Sequence, residues 1–335
     1  MDYLKGIAVI LVVYRHVLIG VQRTGLAVPE YLERANMMFY SFRMPLFFIL
    51  SGLFISAGLD KRKYQSLIKI KIQTLLLPYL IWVFIQVTLQ IIFSAYTNSS
   101  RTLVDYTYIF YQPRNLDQFW YLPALFNVTL IYILVKHFLK TPGKWQLLIG
   151  ITLYFISPYF NKISMISDWM EFYVFFALGD CIKDFVVKKE YEKKFSSVWF
   201  LLTVLPFFAA VQLYYLYRGE LFFMMSWRGK LEFLLISLTG CFTMFLVSQL
   251  LQRLNKVSFL RVVGFHSLYI YVMHVLIAAP VRVFLMKILH IHNSLVLVTS
   301  GIFMSILICI SFYNLFIKNN WLWFLFPGDK RIQTI

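Results

Sequence analysis

Residues 3–21 read YLKGIAVILVVYRHVLIGV, and this stretch decides how the rest of the chain is read. It is long enough to span most of a hydrocarbon core roughly 30 Å thick at about 1.5 Å per residue, yet it carries Lys5, Arg15 and His16 and no acid. Lys5 and His16 are eleven residues apart. At about 100° per residue they return to nearly the same helix face after three turns, separated by roughly 16 Å along the axis. Ionisable groups inside a membrane span are costly and face a bundle interior or a wet cavity. The first helix therefore offers a cation near one membrane surface and a titratable imidazole deep inside. Asp2 can pair with Lys5 at i, i+3, and the long lysine stem can equally snorkel to the surface. Arg15, about 100° round from His16, is expected to face a different neighbour.

Nine further apolar runs follow, at residues 39–57, 72–93, 119–135, 145–160, 169–187, 197–217, 231–251, 265–285 and 295–317. With 60% hydrophobic and 14% charged residues, the chain reads as an all-α, polytopic integral membrane helix bundle of about ten transmembrane helices. The net charge of +17 would suggest nucleic acid in a soluble protein. Here no nucleic-acid partner is expected, because the basic residues cluster in short loops and flanks. Those after even-numbered spans, with the C-terminal segment, hold nineteen of the 32 Lys and Arg, and those after odd-numbered spans hold nine. That asymmetry puts both termini in the cytoplasm. Residues 1–317 form one transmembrane domain and 318–335 a short cytoplasmic tail. The first run has no cleavage signature and is retained. Cys181, Cys241 and Cys309 lie in apolar segments without motif spacing and read as packing residues. Residues 94–118 form a long polar, Tyr-rich external segment, of a length that is functional or disordered.

Several side chains can carry chemistry. His16 suits base or nucleophile work, since small shifts leave imidazole neutral near pH 7, and suits helix packing equally. Arg43, near the start of the second span, can meet an anion or a facing carboxylate such as Glu171. Lys61, Arg62 and Lys63 can bind the phosphates of a nucleotide-containing donor, or serve topology and anionic lipid headgroups. Gln86 and Gln90, at i, i+4, make one polar stripe. Trp120 belongs to an aromatic belt or stacks on a sugar. Tyr271 and His274 can face one cavity, whereas His266 reads as interfacial. No histidine has metal-ligand spacing, and no metal is expected.

Lys5-x10-His16, Arg43-Met44-Pro45-Leu46-Phe47-Phe48 with Ser51-Gly52, Lys61–Lys63, Leu77-Pro78-Tyr79, Phe119-Trp120-Tyr121-Leu122 and Tyr269-Ile270-Tyr271-x2-His274 occur in that order. Together they resemble the acyltransferase-3 family of membrane acyltransferases, over nearly the whole chain. The opening eight residues are similar to its fucose 4-O-acetylase-like branch. The family signature has arginine where Lys5 stands; lysine keeps the charge and loses the bidentate fork.

The resemblance implies an O-acyltransferase, chiefly an O-acetyltransferase, of a bacterial inner membrane. Acetyl-CoA or another acyl-CoA would be co-substrate, with no tightly bound cofactor. The acceptor would be a hydroxyl of a cell-surface or lipid-linked glycan, and membrane lipids would surround the protein, alone or as an oligomer. His16 becomes base or acyl carrier. Lys5, Lys61, Arg62, Lys63 and His274 become donor contacts, and Arg43, Trp120 and Tyr271 acceptor or oxyanion contacts. Many relatives carry an external hydrolase-like domain that passes the acyl group on; this membrane unit is expected to act alone or with a separate partner. The rival reading is a transporter or flippase for a glycan or lipid-linked saccharide, which equally explains many spans and buried polar groups.

Overall fold

An apolar run in lipid must satisfy its backbone internally, and residues 3–21 do so as α1 (Asp2–Gln22), with Asp2 at the positive end of the helix dipole. Gly25, at φ +82°, turns the chain. Pro29 then caps α2 (Glu30–Gly52), whose first turn holds Glu30 and Glu33. Tyr14 Oη donates to the Leu32 carbonyl at 2.6 Å and ties this hairpin together. The computed structural model describes residues 1–94, 101–219 and 226–328.

The chain continues through α3 (Ile55–Lys61) and α4 (Tyr64–Lys71). A π-turn, Ile72–Leu76, leads into α5 (Leu77–Ile92). This turn lies just before Pro78, the residue that has no backbone N–H to donate. Next come α6 (Tyr108–Tyr111), α7 (Tyr121–Phe138), α8 (Gly143–Ile156) and α9 (Ser164–Val187). Then follow α10 (Lys189–Phe195), α11 (Val198–Arg218), α12 (Trp227–Leu254), α13 (Phe259–Phe265), α14 (Ser267–Val283) and α15 (Ser294–Phe312). The described residues contain no strand. Each of the ten expected spans coincides with a helix, and among the described residues eight are long and apolar enough to cross a membrane. The other two are α8, which has 14 residues, and α9, whose sequence includes Asp168, Glu171, Asp180, Lys183 and Asp184.

α1 lies at the centre, against α2, α12, α13, α14 and α15. Two backbone-to-backbone crossings hold the bundle. A Cβ on Gly6 would fall 2.2 Å from the Leu260 carbonyl oxygen, and one on Gly52 would fall 2.0 Å from that of Phe176. Only glycine permits such approach, the packing device of membrane helices, which gain no hydrophobic drive from lipid. The apolar stretch running through α2 and α3 is 72% buried and that of α11 only 17%. So α2 is a spine of the bundle and α11 an outer helix. Cys241 and Cys309 are buried as expected, but Cys181 is exposed on the flank of α9.

A buried carboxylate ties α3, α7 and α9. Asp180 accepts from Ser56 Oγ, from Tyr132 Oη at 2.6 Å and from Lys136 Nζ at 2.9 Å, with Lys183 at 3.4 Å. Removing one member of a buried ion pair strands the other charge. Asp180→Ala is therefore expected to cost roughly 3 kcal/mol, read as a lower melting temperature of the detergent-solubilised protein. Adding Lys136→Met should recover part of the loss; a melting temperature unchanged by Asp180→Ala alone would show the network to be idle.

In the long polar segment before α7, residues 101–118 form short helical turns, with a capping box between Thr102 and Asp105. Its residues Asn98, Ser99 and Ser100 lie outside the described residues. Within the segment read as a tail, the described residues 318–328 pack back on the bundle. Leu325 and Phe326 are buried, Trp82 Nε1 donates to the Leu325 carbonyl at 3.3 Å, and Phe326 packs on Tyr269 at 4.6 Å.

Candidate functional site

His16 sits in the fourth turn of α1, where α14 runs alongside. Its ring meets that of His274 edge to face, with centroids 5.1 Å apart. His274 is fully buried. Its Nδ1 lies 2.8 Å from the Tyr271 carbonyl and 3.0 Å from that of Ile270. Carbonyl oxygens only accept, so Nδ1 carries the proton and Nε2 presents a lone pair. That Nε2 is buried with no hydrogen-bond partner. The helix backbone thus sets the tautomer of one imidazole directly beside the other.

His16 lines a cavity of about 710 Å³, and the buried His274 ring lies behind it. Its walls come from α1, α2, α5, α14 and residues 114–120. Arg43, 2% exposed, reaches the Leu11 carbonyl at 3.4 Å and Asn36 Oδ1 at 3.3 Å, with its guanidinium over the Tyr40 ring. Tyr271 Oη donates to the Gln118 carbonyl and packs on Tyr121. Trp120 lines the cavity, but Arg114 lies over its ring at 4.6 Å and Phe172 packs at 5.4 Å.

The glutamine stripe of α5 acquires a specific task. Gln86 Nε2 and Gln90 Nε2 donate to Asp117 Oδ2 at 3.3 and 3.1 Å, and Gln118 Nε2 donates to Gln86 Oε1 at 2.8 Å. Asp117 holds φ +57°, a conformation rare outside glycine and asparagine, and this clamp maintains it. Arg101 joins Asp117 (3.4 Å) to Asp105 (3.0 Å). Burial pushes the Asp105 carboxyl up, but the Thr102 backbone N–H and Arg101 outweigh it and hold it below its ordinary value. Residues 114–120 are thereby fixed as a cavity wall.

Behind Arg114 and Trp120 lies a second hollow of about 330 Å³. Arg114 bonds Asp168 at 2.5 Å and Glu171 at 3.5 Å, and Lys230 reaches Glu171 at 3.8 Å. Glu171, expected as a carboxylate for Arg43, therefore pairs with Arg114 and Lys230.

The fold gathers His16, His274, Arg43, Trp120 and Tyr271 from α1, α2, α14 and the turn before α7. It does not bring in Lys5 or the basic loop. Lys5 pairs with Asp2 at 3.4 Å near the first turn of α1. Lys61, Arg62 and Lys63 are exposed where α3 ends. None of the four lines the cavity. His266 is a packed residue, 5.0 Å from the Tyr313 ring. Arg15 faces a different neighbour from His16, as expected, with its guanidinium over the Tyr40 ring of α2, yet both line one cavity, because a hollow this wide subtends more than 100° of a helix. Arg23, Arg114, Asp117, Gln118 and Arg282 line it too and carried no assignment from sequence. The one available signal was that Arg15 and Arg282 are charges within apolar spans.

A family model described as an acyltransferase domain, that of the acyltransferase-3 family, matches residues 1–314. No curated protein and no solved structure matches the chain.

Proposed function

We propose that this chain, which belongs to the acyltransferase-3 family, is a membrane O-acetyltransferase. It would move an acyl group from cytoplasmic acetyl-CoA to a hydroxyl of a cell-surface or lipid-linked glycan. The observation that carries the reading is the pair of contacting imidazoles, with His16 on the wall of an arginine-lined cavity and His274 buried behind it, in an otherwise apolar bundle. Family membership favours group transfer over the transporter reading.

In this mechanism a nitrogen of His16 takes the proton of the acceptor hydroxyl as its oxygen attacks the thioester carbonyl. The tetrahedral intermediate collapses, the carbon–sulfur bond breaks, and the CoA thiolate recovers the proton from His16. His274 is a positioning residue. Its Nδ1 proton is committed to backbone carbonyls, so Nε2 is left to accept the N–H of His16 and turn the opposite, bare nitrogen towards the acceptor. The guanidinium of Arg43, on the wall of the same cavity, would be the donor to the developing oxyanion. The Tyr271 hydroxyl is already committed to Gln118 and shapes the wall.

Loop charge puts the termini in the cytoplasm, so the cavity opens outward, where a glycan arrives. The donor's phosphates would meet Lys61, Arg62, Lys63 and Lys5 at the opposite end. The roughly 16 Å from Lys5 to His16 suits an extended pantetheine arm. We place the enzyme in the bacterial cytoplasmic membrane, whose bilayer separates that donor from that acceptor. Membranes containing the protein are expected to release free CoA from acetyl-CoA only when glycan is supplied, with an acetyl ester on the glycan by mass spectrometry. Glycan translocation without CoA release would replace this reading by transport.

A further inference from the structure

The cavity beside His16 is unusually cationic for a hollow inside an apolar bundle. Arg15, Arg23, Arg43, Arg114 and Arg282 line it, and Asp117 is the one carboxylate in its lining among the described residues. The five arginines are not equivalent. Arg114 is neutralised from behind by Asp168 and Glu171. Asp117 is shared between Arg101 at 3.4 Å and Arg23 at 3.9 Å, and is held besides by two glutamines. Arg15 and Arg282 have no carboxylate within ion-pair distance among the described residues. Arg15 has the Tyr40 ring at 5.6 Å. The Arg282 guanidinium lies against α1 at Gly20, where a Cβ would fall 2.2 Å from its Nη1, so the absent side chain makes its room.

Charges in a membrane-embedded bundle are tolerated when they are paired or face water, and like charges in one cavity repel each other. A guanidinium also differs from an ammonium in matching the two oxygens of a carboxylate or phosphate with a fixed fork. The cavity volume of about 710 Å³ holds a saccharide with room for such a group.

We propose that the acceptor bound beside His16 is an anion. It is a saccharide bearing a carboxylate or a phosphate, which Arg15, Arg23 and Arg282 grip while His16 faces its hydroxyl. This deepens the acyltransferase reading and rests on its assignment of this cavity to the acceptor. The same guanidinium chemistry fits the phosphates of acyl-CoA, so the test separates the two sources.

The full-length protein in detergent is titrated calorimetrically with glucuronate, inorganic pyrophosphate, glucose and acetyl-CoA, for wild type, Arg15→Gln, Arg282→Gln and the double variant. Each variant is first confirmed as folded by its melting temperature. Saturable binding of glucuronate or pyrophosphate but not of glucose is expected, weakened at least ~30-fold in the double variant, with acetyl-CoA affinity within about twofold of wild type. Loss of acetyl-CoA affinity in the same variants would assign the arginines to the donor and overturn the proposal, as would binding of neither anion. Binding is read without turnover, so its result stands apart from the acyltransferase reading. Anion binding without any CoA release fails that reading alone. Glycan-dependent release with equal use of an acidic oligosaccharide and its carboxyl-reduced form fails this one alone.

Discussion

His16→Ala is expected to lower acyl transfer by roughly 10²–10⁴-fold, the usual contribution of a positioned general base, and further if His16 carries the acyl group covalently. The stability cost should be small. His16 is only partly buried and borders a cavity that already exists, so its removal enlarges a polar hollow and does not open a void in packed core. Protein level and melting temperature should therefore stay near wild type while glycan-dependent CoA release disappears. Retained activity in well-folded His16→Ala would end the proposed role. Acid-quenched wild type incubated with acetyl-CoA alone separates the two forms of the mechanism. An acetyl group on the peptide containing His16 marks a carrier, and an unmodified peptide marks a base.

His274→Ala should reduce kcat by about 10²-fold, the order expected when a reacting group loses its orientation. The route differs from that of His16, since His274 contributes no step of its own. Its loss frees His16 to turn, so kcat falls while the apparent KM for acetyl-CoA holds. Because His274 is fully buried, alanine also leaves a cavity, and a general loss of stability would imitate the effect. Two further readings break that ambiguity. His274→Gln restores an acceptor oxygen near the place of Nε2 and should recover a good part of the rate. The pH dependence of kcat/KM should also move in His274→Ala, because the ring in contact with His16 is gone. If glutamine performs no better than alanine and the pH profile stays put, His274 is packing only.

Much of the architecture was legible without coordinates, and the reason is local. Whether residues 3–21 or 295–317 form a membrane helix depends on the exchange of water for lipid along one segment, almost independent of its neighbours. Lys5 and His16 share a stripe by helix geometry alone. The i, i+4 glutamines of α5 were likewise visible as a stripe, though not what they hold. What was not legible has an equally physical cause. Arg15 does face another neighbour, Tyr40, but an angle on one helix says nothing of how wide a hollow its neighbours leave, so the cavity it shares with His16 could not be read. The C-terminal segment read as a tail because the groove that takes Phe326 is made by Trp82 and Tyr269, two helices distant in sequence.

By itself, then, the sequence determined an all-α membrane bundle of helical segments, a charge asymmetry between its loops, and His16 as a costly group within an apolar run. Only the tertiary structure decided that His274 meets His16 with its tautomer set by two backbone carbonyls. It alone decided that Arg15, Arg23 and Arg282 share that cavity, while Lys5 and the basic loop stand apart from it. Hydropathy and charge act on each helix through its solvent and can be read in one dimension. A site is made by side chains from α1, α2, α5 and α14 converging, and that convergence is set by packing such as the glycine crossings at Gly6 and Gly52.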